Sequence, residues 1–399
     1  MRSGTADAAA ESDGSWRTYI RDWLAARTRI APPADAAGDD VVAFDREWIR
    51  ELHGAGLAAP QWPRWAGGFG VPAGHEVALH QEFLRAGARW PSSFYTALNH
   101  VGHAIIAHGS AEQKARHLTD ILNGSTVWCQ AFSEPEAGSD LAALRAFARR
   151  DGEHYVLDGQ KVWSSNAARA DRALLLARTS SDLPRHRGIS CFLLDLRSPG
   201  VTVRPIRQMT GESAFCEIFL DNVVVPVEDR LGEENGGWSV VHTVLSAERG
   251  PGYLTFIVEM NHLVDALLTR AGRQDLSGGN RPLDDAARRH QLASLVAEAD
   301  VLAAVLERVL EDLTTTGRLN PASSVVKLMF AELHRKITAA AVDLEGLPGQ
   351  LVAQPGEWLH HHLGSWRYLL GAGTSEMQRN QIAEGVLGLP REPRGAASG

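Results

Sequence analysis

Between about Val127 and Leu231 the chain reads as short β-rich segments separated by turn residues, and on either side of that stretch it reads as helix. This order of helices, strands and helices constrains the fold more than any other feature, because it calls for a sheet flanked in sequence by two helical regions rather than an alternating βα pattern. The segments His154–Leu157 (before Asp158-Gly159), Ala173–Ala177, Ile189–Leu194 and Phe215–Leu220 predict a small antiparallel β domain. Ahead of it, Trp16, Ile20, Trp23 and Leu24 recur at helical spacing, as do Phe44, Trp48, Leu52 and Leu57. A Pro/Gly-rich loop over Pro60–Gly74 follows, and helix resumes from about His75 to Leu122. Beyond the strands, helical periodicity covers Trp238–Arg270, Asp284–Thr315 and Pro321–Asp343, with loops over 272–283 and 345–356. The expected fold is therefore α+β. Residues 1–124 form an N-terminal helical domain, 125–235 a central antiparallel β domain, and 236–399 a C-terminal helical bundle.

The 399 residues, 44% hydrophobic with a formal net charge of −8, can bury sizeable cores but offer no broadly cationic surface for nucleic acid. Cys129, Cys191 and Cys216 form no CxxC pair and no metal spacing, so they read as small core residues in a reducing compartment. The polar N-terminus lacks a signal-peptide core, and no apolar run is long enough to span a bilayer. A soluble, cytoplasmic protein without a metal is expected. Adjacent histidines do not converge on one point of a helix, so His360-His361-His362 reads as a solvated surface run. Asp284-Asp285 followed by Arg288-Arg289 reads as a capped, charged helix start.

The segment Trp128-Cys-Gln-Ala-Phe-Ser-Glu-Pro-Glu-Ala-Gly-Ser-Asp140 contains a tight turn with exposed N–H groups and a hydroxyl. Leu157-Asp-Gly-Gln-Lys-Val-Trp-Ser-Ser-Asn166, Phe215–Pro226, Gly373-Thr-Ser-Glu-Met-Gln-Arg-Asn380 and Leu387-Gly-Leu-Pro390 follow in order, with Gly67-Gly-Phe-Gly70 and His108-Gly-Ser-Ala-Glu-Gln-Lys114 ahead of them. Over nearly its whole length the chain resembles the acyl-CoA dehydrogenase family. The resemblance implies a C-terminal four-helix bundle and FAD held between sheet and bundle. Phe132 and Ser133 would line the flavin ring, Trp163 would stack beside it, and Ser165 would reach its N5/O4 edge. Ser133 and Ser165 stand where Thr is common, and each keeps the hydroxyl. Gly138 and Ser139 would approach the flavin and the CoA portion, and Thr374 and Glu376 would lie near the pyrophosphate. The implied partners are an acyl-CoA or acyl-carrier thioester, electron-transfer flavoprotein as electron acceptor, and further copies of the chain in a homodimer or homotetramer.

Removing the weakly acidic α-proton of a thioester requires a base, and a desolvated carboxylate suits the task. Most members carry this Glu just before Gly-Thr-Ser; here the position is Ala372, which leaves only a backbone N–H for the thioester oxygen. A minority place the base on the first bundle helix, where this chain has Leu245-Ser-Ala-Glu-Arg249. Trp238, Val241, Leu245 and Glu248 step by helical spacing, which puts Glu248 on the apolar stripe. Glu248 is therefore the expected base, and Arg249 the residue that organises the site and contacts substrate. Lys327 has a family counterpart and no assigned role. Phe94, Tyr95, Ala97, Leu98, Gly252 and Tyr253 are expected to set pocket depth.

Two stretches that touch FAD in many members, Arg-x-x-Phe-Gly and Leu-Gly-Gly-x-Gly, have no good match in 272–283 or Leu344–Gly349. This leaves room for a partner chain of different sequence that completes the site. Two alternatives stay open: a flavin monooxygenase or oxidase on the same fold, and a non-catalytic subunit of a hetero-oligomeric dehydrogenase.

Overall fold

The computed structural model describes residues 12–33, 36–249, 254–273, 281–316, 320–351 and 356–391. The chain divides into two compact units, Met1–Pro251 and Gly252–Gly399.

In the first unit, α1 (Asp13–Ala25) buries Trp16, Ile20 and Leu24 on one face and is capped by the Ser12 side chain. Helix α2 (Asp39–Gly54) buries Phe44, Trp48, Ile49 and Leu52. It stops at Gly54, so Leu57, expected to prolong this periodicity, is a buried residue of the following turn. Next come α3 (Ala73–Ala86), a π-helical turn (Ala97–Val101) running into α4 (Gly102–His108), and α5 (Ala111–Leu122). A capping box between Ser110 and Gln113 starts α5.

The strands are β1 (Trp128–Ala131), β2 (Phe147–Asp151), β3 (His154–Ser165), β4 (Arg172–Arg178), β5 (Ile189–Asp195), β6 (Val201–Ile206), β7 (Phe215–Pro226) and β8 (Arg230–Leu231). They form one sheet in the order β6-β7-β3-β2-β4-β5-β8, with β1 paired to β4. The pairs are antiparallel except β1–β4 and the single Phe147–Arg178 match of β2 with β4, which are parallel. Successive β4 residues face two different cores. Leu174 and Leu176 pack with the N-terminal helices, whereas Ala173, Leu175 and Ala177 pack with Phe192 and Leu194. Burial on both faces explains why β4 reads as a continuous apolar run. All three cysteines are buried in these layers, and burial pushes each thiol pKa up. Helix α6 (Gly237–Arg249) closes the first unit: its Val240, Val241 and Val244 join the helical core, and it packs against the π turn, α4 and β5.

The second unit is built around α9 (Ser323–Glu345), which packs against α7 (Leu254–Ala271), α8 (Ala286–Thr316), α10 (Trp358–Leu370) and α11 (Ser375–Gly385). Asp285 caps α8 by accepting the Arg288 N–H at 2.8 Å. The His360–His362 run, expected in solvent, lies half-buried on α10, and burial lowers the pKa of His361 and His362. It lies on a helix that packs against α9, so one side of every turn is covered. Among the described residues no helix is long and apolar enough to cross a membrane.

Candidate functional site

Strand β1 runs directly into the Phe132–Asp140 turn, where Phe132 is buried and Ser133 half-buried. The Ser133 carbonyl accepts the Val162 N–H at 2.9 Å, which joins this turn to the end of β3. There β3 bulges: its pairing with β7 shifts between Lys161 and Ser164, leaving Val162 and Trp163 out of register. Trp163 adopts φ 63°, a left-handed conformation that L-residues other than Asn and Asp rarely take. The bulge turns the indole outward, 58% exposed, edge-on to Phe215 at 6.1 Å between ring centres. A large aromatic ring on strained backbone is thus left uncovered beside Ser133, and Ser165 is half-buried two residues on.

The turn is fixed from inside by groups that sequence reasoning missed. Glu134 is buried, and its carboxylate accepts the N–H groups of Arg145 (2.6 Å) and Ala146 (2.9 Å) and the Lys161 ammonium (2.7 Å). Lys161 has no exposed surface and also donates to the Phe132 carbonyl at 3.2 Å. Burial pushes the Lys161 pKa down to about 8, against the pull of Glu134. One ammonium therefore ties Phe132 and Glu134 to β3, and the Glu134 carboxylate in turn holds the backbone at Arg145 and Ala146. The only hint in the sequence was a Glu and a Lys inside two quoted motifs, with nothing to pair them. Gly138 and Ser139 lie exposed just past the Glu134–Ala137 bridge, and a β-carbon built on Gly138 would meet nothing within 4 Å. The protein's own packing leaves that flank open to a ligand.

On α6 the residues Val240, Val241 and Val244 are buried. The helix is tied to α4 by His108 Nε2 and Thr243 Oγ1 at 2.8 Å. Glu248 and Arg249 end this helix, and their side chains, like residues Gly252 and Tyr253, lie outside the described residues. Of the other residues expected to set pocket depth, Phe94, Ala97 and Leu98 are packed into the helical core, and Tyr95 is half-buried.

In the second unit, Ala372 and Gly373 form the link between α10 and α11 with φ 55° and 87°. Gln378 Nε2 donates to the Ala372 carbonyl at 2.9 Å, and Lys327 Nζ donates to the Gly373 carbonyl at 2.6 Å. Lys327 thus holds this link in shape, a structural role that the sequence did not reveal. Thr374 caps α11, its hydroxyl accepting the Met377 N–H at 3.2 Å. Glu376 lies exposed in the first turn, where its own backbone N–H and the Thr374 hydroxyl hold its carboxyl below the usual range.

Family profiles described as acyl-CoA dehydrogenase N-terminal, middle and C-terminal domains match residues 14–125, 129–223 and 235–387. The chain is 34% identical to acyl-CoA dehydrogenase IpdE1 of Mycobacterium tuberculosis, over 95% of this chain and 98% of the relative. Among solved structures it is similar to the ChsE4-ChsE5 complex from Mycobacterium tuberculosis, at TM-score 0.81 and 29% identity, over 95% of this chain and 98% of that one. It is also similar to the Tcur3481-Tcur3483 steroid ACAD, at TM-score 0.80 and 26% identity, with the same coverage of 95% and 98%. With three consecutive profiles and a full-length relative in agreement, this chain belongs to the acyl-CoA dehydrogenase family, whose members are oxidoreductases acting on CH–CH donors.

Proposed function

We propose that this chain is a FAD-dependent dehydrogenase that introduces a double bond between Cα and Cβ of an acyl thioester. The observation that carries the reading is Trp163. An indole 58% exposed on a left-handed backbone is costly to keep bare, and a flat apolar ring laid over it would recover that cost. The hydroxyls of Ser133 and Ser165 flank the position as donors for a heterocycle edge. Glu134 and Lys161 hold Phe132 and Ser133 in place, so the wall is formed before a cofactor arrives. These features fit a flavin, which when bound supplies the acceptor for the hydride leaving Cβ.

The chain's own chemistry is the proton. With a methyl group at Ala372, the base is Glu248, which takes the Cα proton while Arg249 organises its surroundings. The Ala372 N–H is the donor offered to the thioester oxygen, where charge develops as the proton leaves. The product is the α,β-unsaturated thioester, and electron-transfer flavoprotein takes the electrons onward. The Tcur3481-Tcur3483 likeness to a steroid ACAD favours a ring-bearing acyl group.

A yellow protein whose visible absorbance bleaches on adding a suitable acyl-CoA is the expected result. Glu248→Gln should keep the colour and lose roughly a thousandfold in bleaching rate. Unchanged bleaching in that variant would sink Glu248 as the base. A second reading, a subunit that works only with a different chain, draws support from the two-chain ChsE4-ChsE5 relative. Colourless protein that gains flavin and activity on mixing with a second chain would select it.

A further inference from the structure

A cleft of about 530 Å³ opens in the first unit between α2 and one corner of the sheet. That volume lies within the range of small-molecule sites, roughly 300–1,000 Å³. It contains none of the residues assigned above to the flavin, the thioester or the proton. Part of its lining is apolar: Val42 of α2, Leu196 just after β5 and Val203 of β6, each only half-buried. The charged part consists of Arg46, Arg169 and Arg197 against Asp39 and Asp171, three cations to two anions. The lining therefore carries one positive charge in excess beside apolar side chains that the chain itself does not fully cover.

The contacts of each charge show which cations are available to a ligand. Asp171 is largely covered and accepts the Val127 N–H at 2.8 Å and Arg46 Nη2 at 2.6 Å, so it stays satisfied without Arg197. Arg46 is fully engaged, since its Nη1 also donates to the Gly124 and Ser125 carbonyls. Arg197 adds a third contact to Asp171 from a side chain 79% exposed. Arg169 Nε meets Asp39 at 3.0 Å, but the Asp39 side chain is 94% exposed. Ion pairs standing in water contribute about 0–1 kcal/mol, so both guanidinium groups can turn to a better acceptor with little loss. Each makes a single side-chain hydrogen bond, which leaves most of its N–H groups unengaged. We propose that this cleft binds an amphipathic oxyanion, its carboxylate or phosphate held by Arg169 and Arg197 and its aliphatic body laid over Val42, Leu196 and Val203. The site is separate from that of the thioester and stands independently of the dehydrogenase reading.

Calorimetric titration of the full chain with decanoate, decyl phosphate, decanol and acetate tests this. Each titration is repeated with the protein saturated by an unreactive acyl-CoA thioether, so that binding in an acyl channel is kept apart. Decanoate or decyl phosphate should bind in equimolar amount with the thioether present, and the tighter of the two identifies the head group. Decanol, which lacks the charge, and acetate, which lacks the body, should bind at least about tenfold more weakly. The double variant Arg169→Gln, Arg197→Gln should lose at least about tenfold in affinity for the anion and no longer distinguish it from decanol. Ala43 lines the cleft from an exposed position of α2, so Ala43→Trp should block binding with both arginines intact. Thermal denaturation checks that each variant is folded, and if the arginine pair proves unstable, Ala43→Trp alone carries the test. Decanol binding as tightly as the anions, displacement of the anion by the thioether, or affinity unmoved by these variants would overturn the inference. So would the absence of binding by both anions.

Discussion

At the scale of single residues, Trp163 sets stability against function. Its left-handed φ of 63° costs on the order of 1 kcal/mol for an L-residue, and its exposed ring repays little of that within the chain. Trp163→Asn replaces it with a residue that tolerates this conformation and carries no ring. Thermal denaturation of the flavin-free protein should show unchanged or slightly raised stability, by up to about 1 kcal/mol. Flavin affinity, followed by fluorescence titration, should fall at least tenfold. A stability loss with undiminished flavin binding would show the ring serving the fold instead. The sequence pointed to Trp163 only through family resemblance. Nothing in its own residues signalled a positive φ, because the usual marker for that conformation is glycine, and the same holds for Ala372 at φ 55°.

At the scale of elements, the turn after β1 depends on a buried ion pair. Lys161 reaches Glu134 at 2.7 Å with no exposed surface of its own. Removing one partner of such a pair costs about 3–5 kcal/mol, because the other charge stays buried and uncompensated. Lys161→Met should lower unfolding free energy by roughly that amount. Because the same ammonium holds the Phe132 carbonyl, flavin affinity should fall as well. Glu134→Gln combined with Lys161→Met should recover part of the stability, and chemical denaturation of the two variants beside the unchanged protein would check it. The strands were legible because alternation and turn residues are local signals. The 27-residue reach from Glu134 to Lys161, the parallel β1–β4 pairing and the π turn are set by packing between distant segments. A window read along the chain does not see them.

At the scale of the whole molecule, two covered histidines, His117 buried and His103 half-buried, tie the first unit to pH. His117 is 1% exposed and edge-on to Trp128, and burial beside Arg172 and Arg116 pushes its pKa down to about 4. Burial and the neighbouring His100 bring His103 down to about 4 as well. The unfolded chain takes up these protons near the ordinary value of 6.5, and the folded chain only near 4. The folded state therefore binds fewer protons in that window. Its advantage is complete above pH 6.5 and drains away as pH falls through 4. For His117 that amounts to roughly 3 kcal/mol. Urea unfolding repeated from pH 7 to pH 4 should show stability falling, and His117→Phe should flatten the fall by about one proton's slope. An equally steep fall in that variant would assign the acid sensitivity elsewhere. The order of helix, sheet and helix was read correctly from texture, and both histidines stood in stretches read as helix, but periodicity does not report how deeply a residue is covered.

Cys129, Cys191 and Cys216 have no surface in contact with solvent. The folded first unit is therefore silent toward thiol-directed reagents, and any cysteine introduced on its exterior becomes a unique chemical handle. Gly138 suits that use, since a side chain there meets nothing nearby, so a dye or spin label attached at this one spot would report directly on what docks against the turn.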